Sequence, residues 1–126
     1  MNNKGFTLIE LIVTIALLAV ISLISFVSVN KVIMQSKVNN CKSLVDSIKV
    51  ATSEYVSDNR YKNLNIDNFN AKTLVDNKYL SSPIVNPFNK EEINPETVLL
   101  NIELNNDYTL KTVTISEPAF LVNCSN

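Results

Sequence analysis

The sequence predicts an α+β fold. One long N-terminal helix, about residues 6–57, acts as a spine, and a small antiparallel β-sheet head packs on its C-terminal half. Three observations carry this expectation. Residues 11–30 contain no charged side chain. From Met34 to Tyr55 the apolar residues recur with helical period, and beyond Thr97 they alternate as in strands.

The first half of the helix comes from the uncharged run. Twenty helical residues rise about 30 Å, the thickness of a bilayer's hydrocarbon core. No proline precedes Pro83, and the single glycine is Gly5. The second half comes from the stripe Met34, Val38, Cys41, Val45, Ile48 and Tyr55, spaced 4-3-4-3 and widened by Leu44 and Ala51. Lys37, Lys42, Asp46, Ser47 and Lys49 fall largely on the other faces, and Asp58-Asn59 is the expected end. Residues 59–70, rich in Asn and Asp, read as loop, and Asn70 is placed to cap a short helix over 71–77. Pro83 and Pro87 fix the next connection in extended or turn geometry. Strands are expected at 97–104 and 108–115, joined by the turn Asn105-Asn106-Asp107. Pro118 interrupts, and a last strand is expected over 119–124. Laid on the back half of the helix, such a sheet would bury both apolar faces.

Composition excludes several functions. The chain has 126 residues, enough for one domain beyond the apolar helix. Residues 1–50 hold five lysines against Glu10 and Asp46, whereas residues 51–126 hold six basic and ten acidic side chains. The acidic distal half disfavours nucleic acid, which is bound through Lys and Arg. Histidine is absent, removing the commonest general base and transition-metal ligand. With Gly5 alone, no glycine-rich phosphate loop can form. Asn65, Asp67, Asn68 and Asn70 lack a full calcium-ligand pattern and read as solvated loop. Glu91, Glu92 and Glu96, beside Asn94-Pro95, read as a solvated turn rather than a paired-carboxylate site. The expectation is a non-enzyme with no cofactor and no metal.

Cys41 and Cys124 are the only cysteines. If the sheet covers the helix, they can bridge and tie the tail down. The alternative leaves Cys41 as a small core residue and Cys124 as a loose thiol. Without histidine, neither reads as a nucleophile.

Glu10 is the residue that simpler readings leave unexplained. An ionisable group beside an apolar span is a functional-site hypothesis that requires a partner. Phe6 and Glu10 lie one turn apart on one helix face, so the carboxylate can meet an amine at residue 6 of its own chain or of a neighbour. An ordinary secretory signal fails here: Met1-Asn2-Asn3-Lys4 is a poor basic region, and the apolar run is too long. A plain membrane anchor explains the length but not Glu10.

The segment Lys4-Gly5-Phe6-Thr7-Leu8-Ile9-Glu10, with the apolar run behind it, resembles the class III signal of type IV pilins and pseudopilins. That resemblance implies a leader, residues 1–5, cut at Gly5–Phe6 by an aspartyl prepilin peptidase on the cytoplasmic side, where Lys4 holds it. It implies N-methylation of Phe6, and pairing of Glu10 with the methylated amine of a neighbouring subunit. Residues 6–30 would span the membrane before assembly and form a filament core afterwards. Residues 31–126 would form a periplasmic or extracellular head on a surface filament. The implied partners are further copies or related subunits, the peptidase, and an assembly platform with its ATPase. Within the family, a pilus subunit for adhesion or motility competes with a pseudopilin of type II secretion or competence DNA uptake. Outside it stands a single-pass anchored binding module. Tyr79-Leu80 followed by Pro83 and Asn86-Pro87-Phe88 also resembles a connector of such heads.

Two departures from the family pattern stand out. Many relatives carry a proline about twenty residues after the cut. This chain instead has Ser22, Ser25 and Ser28, which either bond back to the helix or let helices pack closely. Many relatives also bridge two cysteines that both lie near the C-terminus.

Overall fold

The computed structural model describes residues 5–60, 62 and 64–125. Most of the expected leader, including Lys4, lies outside the described residues. The chain divides into two units, Met1–Ser36 and Lys37–Asn126. The α+β, pilin-like architecture expected from the sequence is the observed one: a long N-terminal helix, then short antiparallel strand pairs and two short helices.

Helix α1 runs from Leu8 to Asp58, 51 residues without a break. In the first unit its large apolar side chains are all exposed, none less than 48% among those described over residues 8–34. No face is therefore covered by protein. An 18-residue window there has mean hydropathy 2.8 with nothing buried, long and apolar enough to cross a membrane. Four hydroxyls along it bond back to its own backbone. Ser22, Ser25 and Ser28 donate to the carbonyls of Leu18, Ile21 and Ile24 at 2.7, 2.8 and 3.3 Å, and Thr14 donates to Leu11 at 2.8 Å. Back-bonding is what a helix without water requires of such groups.

In the second unit α1 supplies one wall of the core. Cys41, Val45, Ile48, Ala51, Thr52 and Val56 are buried, with Leu44 and Tyr55 packed at the margin. Thr52 is the buried polar residue, and its hydroxyl donates to the Ile48 carbonyl at 2.7 Å. Met34 does not join this stripe, for it is 57% exposed and belongs to the first unit.

The opposite wall is built by the shorter elements after α1. Helix α2, Ala71–Asp76, buries Ala71 and Leu74. Asn70 sits at its N-cap but makes no side-chain cap bond. The Ala71 amide donates to the Val98 carbonyl at 3.0 Å, and the Thr73 amide, one that a side-chain cap would take, donates to the Asn70 backbone carbonyl at 3.3 Å. Strands β1 (Ile84–Val85) and β2 (Glu92–Ile93) pair antiparallel around a turn. Within that turn the Phe88 amide donates to Asn86 Oδ1 at 2.9 Å, and Lys90 takes a positive φ of 63°. The proline-bounded connector thus returns on itself as a two-stranded ribbon.

Strands β3 (Leu99–Leu104) and β4 (Leu110–Glu117) form a second antiparallel pair, inserting Leu100, Ile102 and Ile115 into the core. Both begin two residues later than the alternation suggests. Residues 95–97 form a 3₁₀ turn whose Glu96 amide donates to Asn94 Oδ1 at 3.0 Å. At the hairpin, the Thr109 amide donates to Asp107 Oδ1 at 3.1 Å while Tyr108 adopts φ 62°. Bonds from the Thr109 hydroxyl and amide hold the Asp107 carboxyl below its ordinary pKa. Arg60 donates through Nε to the Asp107 carbonyl at 3.0 Å, tying the end of α1 to this turn.

The expected last strand is a helix. Residues 119–124 fall within α3, Ala119–Ser125. Pro118 lacks the amide needed to extend the β4 ladder, and its carbonyl accepts from Leu121 and Val122 at 3.0 and 3.3 Å. Leu121 and Cys124, three apart, turn inward together, whereas a strand would have set them on opposite faces.

Cys124 Sγ lies 2.02 Å from Cys41 Sγ, with Cα atoms 5.9 Å apart, forming a disulfide across 83 residues of sequence. It joins α1 to α3. A Cys41→Ala/Cys124→Ala double variant should lose about 2–4 kcal/mol, as loop-closure entropy returns to the unfolded chain. Denaturant titration of the full chain in detergent, followed by tyrosine fluorescence, measures this loss.

Candidate functional site

Helix α1 begins where the sequence places its motif. Leu8 is the first helical residue, so Thr7 takes the N-cap position and Glu10 stands three residues on. The Thr7 amide donates to Glu10 Oε2 at 3.2 Å, and the Glu10 amide donates to Thr7 Oγ1 at 3.3 Å. These reciprocal bonds are a capping box, which satisfies two of the amides a helix start leaves free. A carboxylate in the first turn also faces the positive end of the helix dipole.

Thr7 is the functional residue that reasoning from charge and periodicity misses. Its signal is present in the spacing Thr-x-x-Glu before an apolar run. Helix periodicity relates Glu10 to Phe6, but it is Thr7 that fixes the carboxylate's direction.

The surroundings are open. Phe6 is 90% exposed, and Glu10 is exposed as well. Phe6, Ile9, Glu10, Val13 and Thr14 line a shallow recess of about 330 Å³ on one side of the helix start. A Cβ placed on Gly5 would meet nothing within 4 Å. Internal packing therefore does not require glycine at this position. Close approach by an outside molecule gives such a residue a use.

The remaining named residues lie in the second unit. Cys41 and Cys124 are joined to each other there. The oxygen-rich loop is ordered by a local bond, the Asp67 amide to Asn65 Oδ1 at 3.2 Å. Glu96 pairs with Lys72, which lowers the Glu96 pKa and raises that of Lys72. Glu91 accepts from Asn89. Among the described residues, no group of three or more His, Cys, Asp or Glu side chains comes together as a metal site.

Residues 1–26 match the family model of the prokaryotic N-terminal methylation motif. This is the class III prepilin signal of type IV pilins and pseudopilins, and it contains Gly5, Phe6, Thr7 and Glu10. No curated protein and no solved structure matches the chain.

Replacing Thr7 by Val should remove the bond to the Glu10 amide at a cost of about 1 kcal/mol of local stability. Amide exchange over residues 8–11, measured in detergent micelles, should accelerate several-fold, while Thr7→Ser should retain the wild-type rates.

Proposed function

We propose that this chain is a prepilin that becomes a structural subunit of a type IV pilus-like filament. The carrying observation is a lone carboxylate, Glu10, at the head of an exposed, otherwise uncharged helical stretch inside the methylation motif. In this reading residues 1–5 are a leader, cut at Gly5–Phe6 by a prepilin peptidase. Residues 6–30 span the membrane before assembly and line the filament core afterwards. Residues 31–126 form the exposed head.

The chemistry assigned to each residue is specific. Gly5 lets the peptidase approach the backbone. Cleavage turns the Phe6 amide into an ammonium, which is then methylated and keeps its positive charge. Glu10, held by Thr7, offers its carboxylate to the ammonium of a neighbouring subunit supplied by the assembly platform and its ATPase. A carboxylate left alone in an apolar medium costs several kcal/mol, and pairing removes most of that cost. The pair therefore sets register between subunits. Outside the cytoplasm the Cys41–Cys124 bridge is chemically permitted and ties the last helix to α1.

The mature chain isolated from cells should begin at Phe6 and carry one additional methyl group on its N-terminal amine, as read by intact mass. A chain still beginning at Met1 would overturn the proposal. Glu10→Val should insert into the membrane normally, yet enter sheared filaments at a small fraction of the wild-type level by immunoblot.

A further inference from the structure

Beyond the N-terminal motif, the second unit leaves a partly apolar recess open. Asp46, Val50 and Glu54 recur every four residues and share one face of α1. Val50 is 58% exposed between the two carboxylates. Facing them run Leu80, Pro83 and Val85 of the connector, and Val85 is 40% exposed. Together these residues bound a groove of about 550 Å³ with an apolar floor, mixed polar margins and two carboxylates on one wall. Exposed aliphatic side chains set between solvated carboxylates gain free energy when an apolar strip with a cation covers them.

The same chain carries residues of that character on consecutive positions of α1, with Lys31 and Ile33 about 100° to either side of Val32. Val32 and Ile33 are 66% and 48% exposed, and Lys31 stands beside them, exposed. These residues directly follow the uncharged run, so in a membrane-anchored subunit they emerge at the surface. Lys37 is not available for the same role, because its ammonium donates to the Phe88 carbonyl at 3.3 Å.

We propose that the groove between α1 and the connector receives residues 31–34 from the α1 helix of a second copy. This inference rests on the filament reading, which sets copies side by side with their N-termini pointing the same way. Val32 and Ile33 then cover Val50, Leu80 and Val85, and the Lys31 ammonium enters the acidic wall. Setting Val32 opposite Val50 offsets parallel helices by eighteen residues, an axial stagger of about 27 Å. In that register Lys31 stands level with residue 49, between Asp46 and Glu54. Lys49 itself does not line the groove. The exposed ion pair contributes little affinity in water but selects the register, while the apolar contact supplies most of the attraction.

The test uses the full chain in cells that assemble filaments, with both native cysteines kept. Val50→Cys and Val32→Cys variants are co-expressed, and sheared filaments are treated with a short bis-maleimide. A cross-linked dimer should appear when both variants are present and be absent with either alone. A dimer formed by Val50→Cys alone, or a cross-link from it to a different protein, would overturn the assigned occupant. Independently, the double change Asp46→Lys/Glu54→Lys should lower filament yield about tenfold, since it sets like charges against Lys31. Adding Lys31→Glu to that chain should restore assembly, which a folding defect would not allow. If wild-type filaments form and the charge-reversed chain assembles equally well, the groove assignment fails and the filament reading stands. If the wild-type chain enters no filament, the filament reading itself fails.

Discussion

The continuity of α1 is the constraint on which the rest of the structure depends. No glycine or proline occurs between Phe6 and Ser82, so nothing in the sequence breaks the backbone ladder before Asp58. One stretch of that ladder carries apolar side chains in every direction. The next carries them on a single stripe. The first therefore needs an apolar solvent, and the second needs a sheet and short helices to cover it. A kink or an early stop would detach the motif at residue 6 from the elements that fold around residues 41–56.

An apolar solvent makes strict demands on polar atoms. Unpaired hydroxyls in hydrocarbon cost several kcal/mol, and no water is available to pair with them. The three serines and Thr14 meet this demand by donating to carbonyls of their own helix. At the helix start the side chains of Glu10 and Thr7 instead accept from each other's backbone amides. The uncharged run is thereby compatible with lipid at Thr14, Ser22, Ser25 and Ser28, and Glu10 remains as the carboxylate of the first unit.

The long helix, the α+β class and the motif residues are legible in the sequence, because each rests on a strong local pattern. Less is legible where tertiary contacts choose between local options. The Asn70 side chain is a sensible cap, but the Thr73 amide goes to the Asn70 backbone carbonyl, while Val98 holds the Ala71 amide. The segment after Pro118 is too short for its apolar residues to declare a period. Leu121 and Cys124, three apart, fit one helical turn, but two residues are too few to establish a period, and the carbonyl of Pro118 accepts the bonds that start the helix. The β1–β2 ribbon pairs only two residues per strand, too few to show alternation, and it depends on turn bonds from Asn86. Thr7 is legible through its spacing to Glu10, but an uncharged residue beside a carboxylate is easily overlooked.

The capping box orients Glu10 without neutralising it. An ionised carboxylate can accept about four hydrogen bonds, and among the described residues Glu10 accepts one, from an uncharged amide at 3.2 Å. In water the remaining capacity is filled by solvent. In lipid it is not, and the helix dipole contributes only about 0.3–1 kcal/mol near the surface. A cation is a group that could fill that remaining capacity. The cleavage proposed above would supply one at residue 6, where hydrolysis of the Gly5–Phe6 bond would replace an amide with an ammonium-bearing chain end. On the proposed prepilin reading, the leader withholds that charge until it is cut off, and carboxylate and ammonium would then be complementary between processed copies.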